Sequence, residues 1–209
     1  PMHGKFICIE GGEGSGKTTM AKAVVAWLES KGRKVKEVFD PGSTPLAMKL
    51  REILVTAAIP CTPRQQTLLY IAARTALADE ILRLTADGYD VVCGRWTLST
   101  LVMQGRAGNV GTKTVEWLAD RFVMLIPDLY IVLDADPVQA LARKRAAVGD
   151  DAIKADRFDG RGPEWHEMIR NEYRDLATQY EYPIVNADLP VEQVAANVIA
   201  LCTDQLEIA

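Results

Sequence analysis

Apolar and polar positions along the chain follow two rhythms. Short segments at 6–10, 34–39, 90–93, 129–134 and 183–185, most of them apolar runs, read as strands. Between them, apolar residues recur at helical spacing over 17–30, 45–55, 62–86, 112–124, 137–147, 164–179 and 190–206. Gly32 and Gly88 stop the first and third of these helical patterns. Short strands separated by helices imply right-handed crossovers. The expected fold is therefore α/β, with a five-stranded parallel sheet flanked by helices on both faces. Ligands of such sheets collect at the carboxyl ends of the strands. The sequence has no internal repeat or low-complexity stretch, and one domain over 1–209 is expected.

Composition narrows the class. With 209 residues, 48% of them hydrophobic, the chain can bury a full core. A net charge of -4 and a pI near 5.3 argue against a general nucleic-acid binder. No stretch reaches the roughly 18 apolar residues of a membrane span, and no signal peptide is read. Pro1 ahead of Met2 reads as a cloning remnant. Cys8, Cys61, Cys93 and Cys202 lack metal-ligand spacing and read as thiols in a reducing cytoplasm.

The chemistry concentrates behind the first strand. Gly11-Gly12-Glu13-Gly14-Ser15-Gly16-Lys17-Thr18-Thr19 fits the phosphate-loop pattern of glycine, four residues, glycine, lysine and hydroxyl. Glycines let backbone N–H groups turn toward phosphate oxygens, and the next helix points its positive end at them. Lys17 is placed to reach the outer phosphates, and the Thr18 hydroxyl to ligate Mg²⁺. Such a loop implies a bound nucleoside triphosphate, but it does not separate a kinase from an ATPase, a GTPase or a motor.

Features at the other strand ends suggest an acceptor site. Asp40-Pro41-Gly42-Ser43-Thr44 forms a tight turn into a helix carrying Arg51. Tyr70 and Arg74 lie one turn apart on a helix face, an aromatic plane beside a guanidinium, as suits a nucleobase. Arg95, after the third strand, is placed to hold a phosphate. Arg143-Lys144-Arg145 and Asp156-Arg157-Phe158-Asp159 flank a flexible-looking segment, 149–155, which suggests a mobile lid over about 143–160.

These fragments, in this order, resemble the bacterial and phage thymidylate kinases over roughly 5–206. The matching pieces are the 6–11 run into the phosphate loop, Asp40-Pro41-Gly42-Ser43-Thr44, Tyr70-Ile71-Ala72-Ala73-Arg74, and Arg95 with Leu98-Ser99-Thr100 and Gln104. Pro127-Asp128-Leu129, Leu133-Asp134, and Asp156-Arg157 with Arg170 and Tyr173 complete the match. The resemblance implies the P-loop nucleoside monophosphate kinase fold, transfer of the ATP γ-phosphoryl group to dTMP with Mg²⁺, and a homodimer. It implies that Gly11, Gly12, Glu13, Gly14, Ser15, Gly16, Lys17, Thr18 and Thr19 bind ATP. Asp40, Pro41, Arg51, Tyr70, Arg74, Arg95, Ser99, Thr100, Met103 and Gln104 would bind the acceptor. Thr18 would ligate the metal, with Glu13, Asp156 or Asp159 as further candidates. The phosphate loop carries no arginine, so the catalytic set is expected to be Lys17, Glu13 and Arg95 with the lid arginines Arg143, Arg145 and Arg157.

The departures from that family carry information too. Gly94 stands where an aspartate usually ends the third strand, leaving open which group orients Arg95. Phe39 replaces a common arginine, and Met103 replaces a tyrosine that packs under the deoxyribose. Gly94, Trp96 and Met103 motivate a second reading, an altered or broader acceptor range covering dUMP, 5-substituted dUMP or other deoxynucleotides. Gly94 alone motivates a third, a non-catalytic nucleotide binder. Asp134 has a bland reading as a cap of the helix starting near Pro137, Trp27 and Trp117 as helix-core residues, and His3 and His166 as uninvolved. Trp96 stays open between packing beside Arg95 and a site role.

Overall fold

The computed structural model describes residues 3–207; the expectation about Pro1 and Met2 lies outside them. The sheet contains β1 (Phe6–Gly11), β2 (Lys34–Phe39), β3 (Tyr89–Gly94), β4 (Leu129–Asp134) and β5 (Ile184–Asn186). All pairs are parallel in the order β2-β3-β1-β4-β5. The helices are α1 (Lys17–Ser30), α2 (Pro45–Val55), α3 (Pro63–Ala86), α4 (Thr97–Thr100), α5 (Thr112–Leu118), α6 (Pro137–Val148), α7 (Asp150–Ala155), α8 (Pro163–Gln179) and α9 (Val191–Leu206). Two π-helical turns, Leu101–Arg106 and Ala119–Val123, extend α4 and α5. No helix among the described residues is long and apolar enough to cross a membrane.

Strand parity builds two cores. Phe6 and Cys8 of β1, Val91 and Cys93 of β3, and Tyr130 and Val132 of β4 face α3, α8 and the helices after β3. Ile7, Ile9, Val92, Ile131 and Leu133 face α1 and α9. Both faces of the central strands are thus dry, which explains why they read as continuous apolar runs. Helix starts follow local chemistry. Thr44 caps α2 through the Ala47 N–H at 3.2 Å, and Thr62 with Gln65 forms a capping box at α3. Each precedes a proline at the first helical position.

Three local expectations change. Residues 97–106, given no element from the sequence, are helical; an i→i+5 turn within them shifts the apolar phase away from a 3.6-residue period and hides it. The same effect splits the expected 112–124 helix, and Trp117 on it is 59% exposed rather than core. Trp27 is half-buried against the α1–α9 core. Asp136, not Asp134, caps α6, accepting the Gln139 N–H at 3.0 Å. Asp134 instead pairs with Arg170 at 2.6 Å.

Candidate active site

The loop after β1 lies at the carboxyl edge of the sheet, against α6. A Cβ on Gly11 would come within 2.5 Å of the Leu133 carbonyl oxygen, and one on Gly14 would collide with the Ala140 backbone. Both positions have positive φ, so glycine is required twice over. Lys17 folds back along the loop and donates to the carbonyls of Gly12 at 2.6 Å and Gly11 at 3.0 Å. Burial, helped by the charge of Arg95, lowers its pKa to about 7. An anion in the loop would restore the favoured charge. Gly14, Gly16, Lys17, Thr18 and Thr19 line one side of an open cleft of about 550 Å³, and Arg143 and Lys144 of α6 line the other. Ser15 is buried behind the loop, its Oγ without a hydrogen-bond partner among the described residues.

Next to this cleft is a second cavity of about 110 Å³. Asp40, Pro41, Arg51, Tyr70, Arg74, Arg95, Ser99, Thr100, Met103 and Gln104, from four separate stretches of chain, all line it. Its floor is charged and dry. Arg74 donates to Asp40 at 2.5 and 2.8 Å and to Thr100 at 3.0 Å, while Arg74 Nη1 and Asp40 Oδ1 have no partner among the described residues. Burial opposes both charges. It raises the Asp40 pKa despite Arg74, whereas Asp40 outweighs it at Arg74 and raises the guanidinium's pKa. Trp96 packs from below, its indole 5.4 Å from the Arg74 guanidinium and edge-on to Phe6 at 5.1 Å. Its N–H donates to the Leu125 carbonyl, which settles Trp96 as a fully buried packing residue. Arg51 donates to the Pro41 carbonyl at 3.0 Å and lies over Phe39. Gln104 is turned onto Gln66 at 3.0 Å. Burial raises the Tyr70 phenol, which stays neutral.

Cleft and cavity share Glu13, Asp40, Arg51, Arg95 and Lys144. Arg95 takes φ 70°, a left-handed conformation rare outside glycine, and its N–H donates to Ile9 at 3.0 Å. Its guanidinium pairs with Glu13 and donates to Ser99 at 3.1 Å, Tyr173 at 3.1 Å and Gly11 at 3.2 Å. Glu13 therefore orients Arg95 in the chain that lacks an aspartate at Gly94. A Cβ at Gly94 would meet nothing within 4 Å. Burial works against the Glu13 charge, but Arg95, Lys17 and Lys144 overcome it and hold its carboxyl well below the usual range. Behind these groups sits Glu10, fully buried. It accepts from the Trp96 N–H at 2.6 Å, the Ser99 N–H at 3.1 Å and the Ser99 hydroxyl at 2.6 Å. Burial raises its pKa against these bonds and the nearby Arg95.

The lid differs most from expectation. Arg157 points away from the phosphate loop and donates to four carbonyls beyond or within the end of α2, those of Leu54, Ile53, Thr56 and Ile59. Arg145 is exposed and pairs with Asp150 at 2.8 Å. Arg143 lines the cleft, half-exposed, with Asp188 at 4.0 Å. Lys144 instead enters the site, donating to Glu13 at 2.7 Å and to Asp159 at 2.7 Å. The reason is geometric: successive residues on a helix project about 100° apart, so Lys144 reaches both cavities while Arg143 borders only the donor cleft and Arg145 faces outward. Segment 149–155, read as flexible, contains α7.

The acidic candidates are committed elsewhere. Asp156 caps its own turn, accepting the Phe158 N–H at 2.8 Å and the Asp159 N–H at 3.1 Å. Asp159 holds Lys144, and Glu13 holds two cations. Among the described residues no cluster of three His, Cys, Asp or Glu side chains could hold a metal ion. Thr18, exposed at the start of α1 and lining the cleft, fits a single hydroxyl ligand to a metal that arrives with phosphates. Sequence reasoning gave no role to Glu10 or Tyr173, and left open which of Arg143, Lys144 and Arg145 acts. A carboxylate in an otherwise apolar buried strand was the available signal for Glu10.

A phosphate-loop cleft sharing a cationic wall with an arginine-floored acceptor cavity defines a phosphotransferase of the nucleoside monophosphate kinase class. Comparison with known sequences gives the particular family. The family model described as thymidylate kinase matches residues 9–198. A thymidylate kinase of Caldicellulosiruptor saccharolyticus is 33% identical over 209 residues, covering 99% of both chains. One of Leifsonia xyli subsp. xyli is 34% identical over 202 residues, covering 93% of this chain and 92% of its own. One of Bacillus mycoides is 33% identical over 212 residues, covering 98% and 100%. The chain belongs to the thymidylate kinase family.

Proposed function

We propose that this kinase transfers the γ-phosphoryl group of ATP to dTMP, giving ADP and dTDP on the route to dTTP. The observation that carries this is the shared wall of Glu13, Arg95 and Lys144, which sets a phosphate-loop cleft directly against a base-sized cavity. An oxygen of the acceptor phosphate bonds to the γ phosphorus as the bridging β–γ P–O bond breaks. The negative charge lost in going from ATP to ADP is gained in going from dTMP to dTDP, and the attacking phosphate oxygen is already ionised, so the transfer needs no general base. Positioning and charge neutralisation supply the acceleration.

In this reading Lys17 and the loop N–H groups hold the donor phosphates. Arg95, anchored by Ser99 and Tyr173, exchanges its bond to Glu13 for the acceptor phosphate. Tyr70 stacks on the base, and the unpartnered Arg74 Nη1 meets a ring carbonyl. Thr18 would hold Mg²⁺, which when bound would supply charge neutralisation to the donor phosphates. The four free thiols, Cys8, Cys61, Cys93 and Cys202, support placement in a reducing cytoplasm. Family likeness supports a homodimer, for which light scattering should give twice the 23.0 kDa chain mass; a monomer at working concentration would remove that part. Replacing Lys17→Ala should lower kcat by about 10²–10³-fold, the scale of losing one preorganised donor. Unchanged turnover would contradict the assigned role.

A further inference from the structure

Phosphoryl transfer needs a cation where charge spreads over the moving group, at the boundary of donor and acceptor sites. The sequence offers three arginines for it around the lid, and the structure withholds two of them. Arg157 is consumed by carbonyls at the end of α2, and Arg145 lies on the outer face of α6 beside Asp150. Arg143 touches only the donor cleft, with half its side chain in solvent. Lys144 alone of the 143–145 trio lines both the donor cleft and the acceptor cavity.

We propose that Lys144 is the catalytic lid cation of this enzyme, and that Asp159 is its positioning residue. The inference rests on the phosphotransferase reading above and names the lid group that serves it. The Lys144 ammonium sits between Glu13 Oε2 at 2.7 Å and Asp159 Oδ2 at 2.6 Å, with 27% of its side chain exposed. Glu13 places one carboxylate oxygen on Arg95 and the other on Lys144. The carboxylate thus lies where a transferring phosphoryl group would lie, anionic and held from both sides. When ATP and the acceptor fill their sites, the γ-phosphoryl oxygens take over the donors that Glu13 now occupies. Asp159, 6% exposed, keeps the ammonium from swinging out with the lid. Lysine suits the position as a compact point charge on a flexible stem that can follow the phosphorus along the line of transfer.

The test is steady-state kinetics with ATP, Mg²⁺ and dTMP on the full chain, carrying Lys144→Met, Lys144→Arg or Lys154→Met. Lys154 is an exposed lysine of α7 outside both cavities and serves as the control. Lys144→Met should lose at least about 100-fold in kcat, with both KM values within about threefold and Tm unchanged. Lys144→Arg should recover most of that loss, and Lys154→Met should match the parent. Binding of ADP, aluminium fluoride and dTMP, a transition-state mimic, should weaken in Lys144→Met in proportion to kcat, while ADP alone binds as before. If Lys144→Met lowers Tm, the same pair of binding measurements on Lys144→Gln decides the matter. Asp159→Asn should lower kcat by a smaller factor and add nothing to Lys144→Met in the double variant, since it acts through that lysine. A Lys144→Met enzyme with kcat within threefold of the parent, or with its loss confined to KM, overturns the proposal. A parent enzyme with no dTMP-dependent ADP formation overturns the functional reading itself, and the role of Lys144 falls with it.

Discussion

Two carboxylates, Glu13 and Asp159, compete for the single ammonium of Lys144. Glu13 also has Arg95 and Lys17 nearby and stays ionised. Asp159 takes the weaker share. Burial first, then the charge of Glu13, raises its pKa to about 6. Its unfolded value is about 3.9, so between the two pH values the folded chain binds the extra proton. The stability this contributes is complete below the unfolded pKa and disappears as pH rises through the folded one. Urea melts of the parent and of Asp159→Asn should therefore show a stability difference that shifts against the parent between about pH 4 and pH 7. A difference constant over that range would contradict the raised pKa. At this scale the sequence revealed residue types in motifs but not their partners. Tyr70, Arg74 and Arg95 were legible because motif and spacing placed them. Lys144 was not, because choosing among three adjacent cations needs the rotation of α6 against the loop.

Helices decide how the lid closes. Arg157 sits where the last carbonyls of α2 lack intrahelical partners, and a guanidinium there satisfies them and complements the negative helix end. Its own N–H donates to Val55 at 2.7 Å, and Ala57 donates to Ala155 at 3.0 Å, so α2 and the lid are stitched through backbone as well. Arg157→Ala should leave the sheet intact but loosen the stretch from α7 to α8. Amide exchange over 150–162 should speed up while β1, β3 and β4 stay protected. Equal protection in both proteins would show that the guanidinium is dispensable as a latch. The elements that sequence pattern found were those with a helical run and a stop signal, such as α1 with Gly32 and α3 with Gly88. Those it missed have neither. The Thr97–Arg106 stretch changes helical period midway, and α7 spans six residues, too few for a period to register.

Across the whole molecule, β1 is the axis on which the function turns. It lies between β3 and β4, so the loop that follows it meets residues from β3's end on one side and α6 and α8 on the other. Glu10 ties these parts together by accepting from β3's continuation, and Tyr173 of α8 joins Ser99 at 2.7 Å. The α/β order and the phosphate loop were legible because strand and helix periods alternate cleanly. The cross-chain network was not, because it joins residues 74 to 163 positions apart. The measurement that tests this account most directly is ADP release from ATP and Mg²⁺ with a panel of acceptors: dTMP, dUMP, 5-hydroxymethyl-dUMP, UMP, dCMP, dGMP and dAMP. Clear turnover with dTMP as the preferred acceptor is expected. Turnover favouring another monophosphate, or none with any of them while ATP still binds, would contradict it.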